Sequence, residues 1–171
     1  MGFVFLKIRF MKEIKLTKGK VALVDDEDFE ELNKVKWCTV KGKNTYYAVR
    51  GVRVAELKKN IGFKMHRVVL GLTDSKIFVD HIDGNGLNNQ KSNLRPSSLS
   101  ENRRNSKANK TGTSIYKGVC WNTESKKWRS KITFNGKTIF IGYFLNEEEC
   151  AKAYDKKAKE LFGEFAYLNF K

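Results

Sequence analysis

The sequence predicts an α+β protein built from small antiparallel sheets and short helices, and three observations carry this. β-Branched and aromatic runs flank Gly/Asn turns at 37–50 and again at 127–144, the signature of β-hairpins. Helix starts are marked by Ser98-Leu99-Ser100-Glu101 and by Asn146-x-x-Glu149, each a capping residue with glutamate three positions on. Hydrophobic residues make up 40% of the 171, enough for modest cores rather than a disordered chain.

Taken in order, residues 1–10 are apolar but broken by Lys7 and Arg9. They fall far short of the ~20 residues of a spanning helix; no function is placed on them, and Met11 offers a second start. Residues 20–24 read as a strand ending in Asp25-Asp26, acids that suit the start of a helix over 28–36. The acids at 25–31 read as its solvated face. A hairpin follows over 37–50, its aromatics serving as core and cross-strand pairs. Residues 64–72 form a short helix stopped by Gly71. Within it His66 reads as a packed or surface histidine, with a supporting or DNA-contacting role left open for His66 and Arg67.

A strand over 77–82 then runs into Asp83-Gly84-Asn85-Gly86, a turn by composition. An extended piece at 94–96 leads to the helix capped at Ser98, which places Asn102 and Asn105 on one face with Arg103 and Arg104 beside them. The polar stretch 105–114 reads as a linker. Three strands follow at 115–121, 127–134 and 137–144, the last two joined by Asn135-Gly136. A helix runs from Asn146 to near Gly163. Its Ala151, Ala153 and Ala158, with Tyr154, allow close approach to one face of the sheet. The opposite face is expected to carry Lys117, Arg129, Lys131 and Lys137.

The formal charge of +15 is the strongest bulk property and calls for a polyanion, nucleic acid or an anionic membrane surface. It is local: between Arg103 and Lys137 ten bases stand against Glu124 alone. Cys38, Cys120 and Cys150 are isolated and odd in number, which excludes an ordinary structural zinc site and a disulfide framework, and fits a reducing cytoplasm.

The richest chemistry lies in Val79-Asp80-His81-Ile82-Asp83-Gly84-Asn85-Gly86 and on to Asn93-Leu94-Arg95. A turn, a calcium loop and a catalytic centre are the readings. Counted from Asp83, the fifth position is Leu87 and no glutamate stands at the twelfth, so the calcium loop fails. An imidazole titrating near neutral pH beside hard oxygen donors suits water activation at a divalent cation. One geometric question stays open, since alternation along a strand sends Asp80 and His81 to opposite faces.

Asp80-His81, Asn93 twelve residues later and Asn102 nine after that resemble the His-Asn-His (HNH) nuclease motif, in the phage and intron-encoded homing-endonuclease branch where the last position is asparagine. The resemblance implies a ββα unit around one Mg²⁺ or Mn²⁺. It implies His81 as general base, Asp80 and Asn102 as metal ligands, and Asn93 as the brace of the loop. The last 60 or so residues resemble the Apetala-two/ethylene-response-factor DNA-binding domain. The match runs through Tyr116-Lys117-Gly118-Val119, Lys127-Trp128-Arg129, Ile141-Gly142-Tyr143-Phe144, Ala151-Lys152-Ala153-Tyr154-Asp155 and Leu168-Asn169-Phe170. That family lays a three-stranded sheet in the major groove, which makes Lys117, Trp121, Arg129, Lys131, Thr133, Thr138 and Phe140 the DNA-contacting candidates, with Lys137, Arg103 and Arg104 reaching phosphates. Trp128 reads as core. Cys120, Asn122 and Thr138 stand where plant members place arginines, so fewer bidentate guanine contacts are expected.

Three parts are expected: a strand/helix/hairpin region over 1–60, the nuclease centre over 61–107 and the DNA reader over 108–171. The expected activity is metal-assisted hydrolysis of double-stranded DNA, nicking one strand, by a monomer or weak dimer in the cytoplasm of a bacterial host, encoded by a phage or mobile element. No membrane association and no small-molecule cofactor are expected. The rivals are a DNA-binding regulator with a non-catalytic centre, and a basic RNA-binding or structural protein.

Overall fold

The computed structural model describes residues 10–106 and 112–170. The expectations for residues 1–9 and for the middle of the linker lie outside these. The chain divides into two compact units, Met1–Ser98 and Leu99–Lys171.

The first unit opens with a hairpin, β1 (Met11–Lys15) and β2 (Val21–Asp25), followed by helix α1 (Asp26–Asn33). A three-stranded antiparallel sheet comes next, β3 (Cys38–Lys41), β4 (Tyr46–Val54) and β5 (Lys59–Lys64), with β4 central. Helix α2 (Met65–Val69) leads to the two-stranded pair β6 (Phe78–His81) and β7 (Leu94–Ser97). One core holds the unit together: Ile14, Leu16, Ala22, Val24, Leu32, Trp37, Ala48 and Met65 are all buried in it. Met65 therefore shares its core with Ile14, across the 60/61 division expected from sequence.

The N-terminal hairpin has a specific use. Asp25 is fully buried; its Oδ2 accepts from Lys91 N (2.9 Å) and its Oδ1 from the Gln90 amide (3.3 Å). Leu23 N donates to Leu87 O (2.8 Å) and Leu23 O accepts from Asn89 N (2.7 Å). β2 thus pins the loop that follows β6. Asp25, expected on a solvated helix face, is instead an interior anchor, and Glu27 and Asp28 pair with the Lys91 ammonium at 2.8 and 2.9 Å. That single ammonium offsets part of the charge of this acidic group.

The second unit holds α3 (Leu99–Arg104), an antiparallel sheet of β8 (Val119–Asn122), β9 (Lys127–Phe134) and β10 (Lys137–Phe144) with β9 central, and helix α4 (Glu147–Phe162). Asn135 and Gly136 both take positive φ, 48° and 77°, as the tight β9–β10 turn requires. Asn146 caps α4 by accepting from Glu148 N and Glu149 N at 2.8 and 3.1 Å, a contribution of about 1 kcal/mol. Cys150, Ala151, Tyr154, Ala158 and Phe162 form the buried stripe of α4 at helical spacing. Gly118 is needed for close approach: at φ 78°, a Cβ there would meet Tyr154 Cδ2 at 2.0 Å and Lys131 O at 2.9 Å. Asp155 accepts from the backbone of Asn169 and Phe170, and Asn169 Oδ1 accepts from Lys117 N at 2.7 Å. These bonds tie the closing Leu168-Asn169-Phe170 to the helix and to the turn that precedes β8. Among the described residues no helix is long and apolar enough to cross a membrane.

Candidate active site and nucleic-acid interface

β6 ends at His81, whose register partner on β7 is Leu94, while Asp80 pairs with Arg95. Alternation holds to the strand's end. Asp80 lies with Arg95, accepting at Oδ2 from Nε (2.9 Å) and Nη2 (2.6 Å). His81 instead packs against two rings from other elements: His66 of α2 at 5.0 Å, edge-on, and Tyr47 of β4 at 5.9 Å. His66 and Tyr47 are themselves 5.8 Å apart, so three aromatic groups from β4, α2 and β6 close on one another. Asp80 and His81 are both nearly solvent-free, at 3% and 6% exposure. Their charge states remain coupled although their faces differ: the Asp80 charge raises the pKa of both His81 and Tyr47.

Burial pushes the His81 imidazole below its ordinary pKa, partly opposed by the Asn89 side chain and by Asp83 and Asp80, which favour the cation. The ring is therefore held neutral near pH 7, the form that accepts a proton. His66 is pushed further, to about 3, first by burial and then by His81, Lys64 and Arg67. Burial, then the Asp80 charge, pushes the Tyr47 phenol up, so it stays protonated.

Asn93 closes the loop between β6 and β7. Its Oδ1 accepts from Asp83 N at 3.0 Å, and its Nδ2 donates to Asp83 Oδ1 (3.0 Å) and Asn88 O (2.9 Å). Asp83, Asn85 and Asn88 each accept from the backbone two residues on, a run of side-chain-capped turns. Gly86 fits beneath because a Cβ would meet Tyr46 O at 2.5 Å and the Tyr47 ring at 2.7 Å. The asparagine-rich composition is thus spent on holding a tight loop beside His81.

Arg67, left open as a DNA contact, donates to Ile77 O, Leu72 O and Asp74 O and so fixes the approach to β6. Asn102, Arg103, Arg104 and Asn105 belong to the second unit with α3 and its end. Arg103 is exposed, whereas the Arg104 guanidinium lies 5.0 Å over Phe162 and 5.8 Å over Phe134, against that unit's core.

On the second unit's sheet, register separates the faces. Trp128, Ser130 and Ile132 turn toward α4, so Arg129, Lys131 and Thr133 occupy the other face, with Cys120, Phe140, Thr138 and Tyr143 as cross-strand neighbours. The Thr133 and Thr138 hydroxyls meet at 3.3 Å, and Phe140 packs on Tyr143 at 5.1 Å. Three expected members of this face are placed elsewhere. Trp121 pairs with Trp128 and meets its ring at 5.2 Å, on the helix side. Lys137 pairs with Phe134 and shares that side at the turn. Lys117 precedes the strand, which begins only at Val119; its Nζ donates to Arg104 O and, at 2.7 Å, to Ser106 O. Burial lowers its pKa to about 8. Lys117 is a tether within the unit.

No family model matches the chain. An HNH endonuclease of Acanthamoeba polyphaga mimivirus is 35% identical over 152 residues, covering 89% of this chain and 76% of that protein. The chain belongs to the HNH endonuclease family. Protein 3.8 of Escherichia phage T7 is 39% identical to this endonuclease-family chain over 89 residues, 52% of the chain and 73% of the phage protein. The AP2-like ethylene-responsive transcription factor AIL7 of Arabidopsis thaliana is 37% identical over 70 residues, 40% of the chain but 14% of that factor.

Four residues around the candidate site of this HNH-family chain were not singled out from sequence: Tyr47, Asn89, Arg95 and Asp25. Arg95 and Asn89 had a local signal, their places in Asn93-Leu94-Arg95 and in the asparagine-rich loop before it; Tyr47 and Asp25 reach the site through tertiary contacts. His66 was named, and its burial gives a pH prediction. The folded state holds it neutral down to about pH 3, while the unfolded chain protonates it near the ordinary 6.5. Unfolding therefore takes up a proton between these values, and stability present above pH 6.5 is lost as pH falls toward 3, at up to about 1.4 kcal/mol per pH unit. Urea unfolding of wild type and His66→Gln from pH 7 to 4 should show the shallower dependence in the variant.

Proposed function

We propose that this chain is a metal-dependent, homing-type DNA endonuclease that nicks one strand of a duplex. The observation that carries the reading is a buried imidazole, held neutral, at the end of a strand beside a buried carboxylate and a loop braced by Asn93. His81 takes a proton from water at a ring nitrogen, the hydroxide so formed attacks the phosphodiester phosphorus, the P–O3′ bond breaks, and the departing 3′ oxygen takes up a proton from solvent water. The products are a 5′-phosphate and a 3′-hydroxyl.

The donor chemistry fits one Mg²⁺ or Mn²⁺. Asp80 supplies carboxylate oxygen, a hard donor suited to either ion, and Arg95 donates to its Oδ2. Asn102 is assigned as the second ligand from the motif's spacing. Such a cation neutralises charge developing on the phosphate. Asn93 is a positioning residue, acting through its bonds to Asp83 and Asn88 in the loop.

The outer face of β8–β10 is the proposed DNA reader, with Arg129 and Lys131 on phosphates or base edges and Thr133, Thr138 and Phe140 beside them. Arg129→Ala with Lys131→Ala should weaken duplex binding and reduce the slope of log Kobs against log[salt] by about two, since each phosphate contact releases roughly 0.9 of a counterion. Lys117→Met should leave that slope unchanged and instead speed amide exchange at 104–106. A larger slope change for Lys117→Met than for the double variant would reverse the two assignments.

The deciding experiment for the activity is supercoiled plasmid carrying the host locus, incubated with protein and Mg²⁺ beside an EDTA control. Relaxed circles that need both protein and metal support a nicking enzyme. Binding without nicking supports the alternative, a DNA-binding regulator, which the partial likeness to plant transcription factors favours.

A further inference from the structure

The β4–β5 hairpin extends from the site as an open ribbon. Tyr47, which touches His81, stands on the face of β4 that continues through Val49, Gly51 and Arg53. Their partners on β5 are Lys64, Gly62 and Asn60 for Val49, Gly51 and Arg53 respectively. Gly51, Arg53, Asn60, Gly62 and Lys64 are all exposed. Lys64 Nζ lies 5.9 Å from the centre of the Tyr47 ring.

The two glycines are directly opposite each other, and nothing internal explains them. Neither takes a positive φ, and a Cβ would meet nothing within 4 Å at Gly51 and only Val49 Cγ1 at 4.0 Å at Gly62. The β4–β5 register runs without a bulge from Val49 to Val54. Glycine within a strand weakens it, and where no bulge or turn calls for it, glycine marks a place where another backbone comes close. Here the pair makes a gap in the side-chain layer, with Lys64 on the side nearer His81 and Arg53 on the far side. The span from Tyr47 to Arg53 is ~20 Å at strand rise, or about six base pairs at ~3.4 Å per phosphate along one strand.

We infer that this face of the β4–β5 hairpin is a track for the DNA strand leading to His81, the backbone crossing at Gly51–Gly62 with Lys64 and Arg53 on its phosphates. The track deepens the nuclease reading and rests on it for direction, though not for DNA contact as such. Gly51→Val fills the gap with a strand-favouring side chain in open space. Its melting temperature should match or exceed wild type, while plasmid nicking falls at least tenfold; Gly51→Ala should fall between. On a His81→Ala background, Arg53→Glu should reduce the salt slope of binding to a labelled random 40-base-pair duplex by about one. A folded Gly51→Val protein that nicks at the wild-type rate overturns the track while leaving the nuclease intact. If wild type never nicks, the nuclease reading fails, and the ribbon is judged on the salt slope alone: a reduced slope supports a DNA-binding ribbon, an unchanged slope overturns it.

Discussion

Replacing His81 by alanine is expected to slow plasmid nicking by about 10²- to 10⁴-fold, the usual contribution of a positioned general base, while duplex affinity stays close to wild type. The ring is 6% exposed and held neutral, so its removal takes away the proton acceptor rather than a surface charge. It also removes one of three mutually packed rings, and Tyr47 and His66 would then border a void. His81→Gln retains much of the volume and a hydrogen-bonding group but no basic nitrogen. Both variants should lose nicking to a similar extent, with alanine alone showing a lowered melting temperature. Equal nicking by wild type and His81→Gln would remove His81 from the chemistry and leave it as packing. Nicking by wild type should also vanish in EDTA and return with Mg²⁺ or Mn²⁺.

The parts of this molecule that were legible from sequence are those specified locally. The β9–β10 hairpin is set by Asn135-Gly136 and by alternation on both sides, and α4 by its Asn146 cap and an i, i+4 buried stripe. The loop-bracing geometry expected of Asn93 is visible in three hydrogen bonds. β5 escaped notice because Lys59-Asn60-Ile61-Gly62-Phe63-Lys64 carries little β signal; it forms because β4 offers it an edge. Lys117 and Trp121 were placed on the wrong face for one reason. A strand was expected from residue 115, whereas Gly118 turns the chain at φ 78° and the strand starts at Val119. One residue of phase exchanges the two faces of a strand. Tyr47 and Asp25 lie far from His81 in sequence, and no periodicity could connect them to it.

Breaking the Asp80–Arg95 pair is the second large effect expected. The two side chains are 4% and 12% exposed, and both bonds from the guanidinium converge on Oδ2. A pair this deep has given up most of its hydration, so removing one partner takes away a major compensating charge from a buried ion, at a cost of up to roughly 3–5 kcal/mol. Arg95→Ala and Asp80→Ala should each show that loss in urea unfolding. The double variant should lose much less than their sum, because neither charge then remains. Activity should not follow stability. Asp80 is proposed to hold the metal and Arg95 is not, so Asp80→Ala should abolish nicking at temperatures where it is fully folded. Arg95→Ala should retain a measurable rate under the same conditions, with a raised Mg²⁺ requirement if the guanidinium orients the carboxylate. Nicking that is abolished equally in the two folded variants would assign Arg95 to the chemistry as well. Full activity in folded Asp80→Ala would leave the pair as a structural bond between β6 and β7.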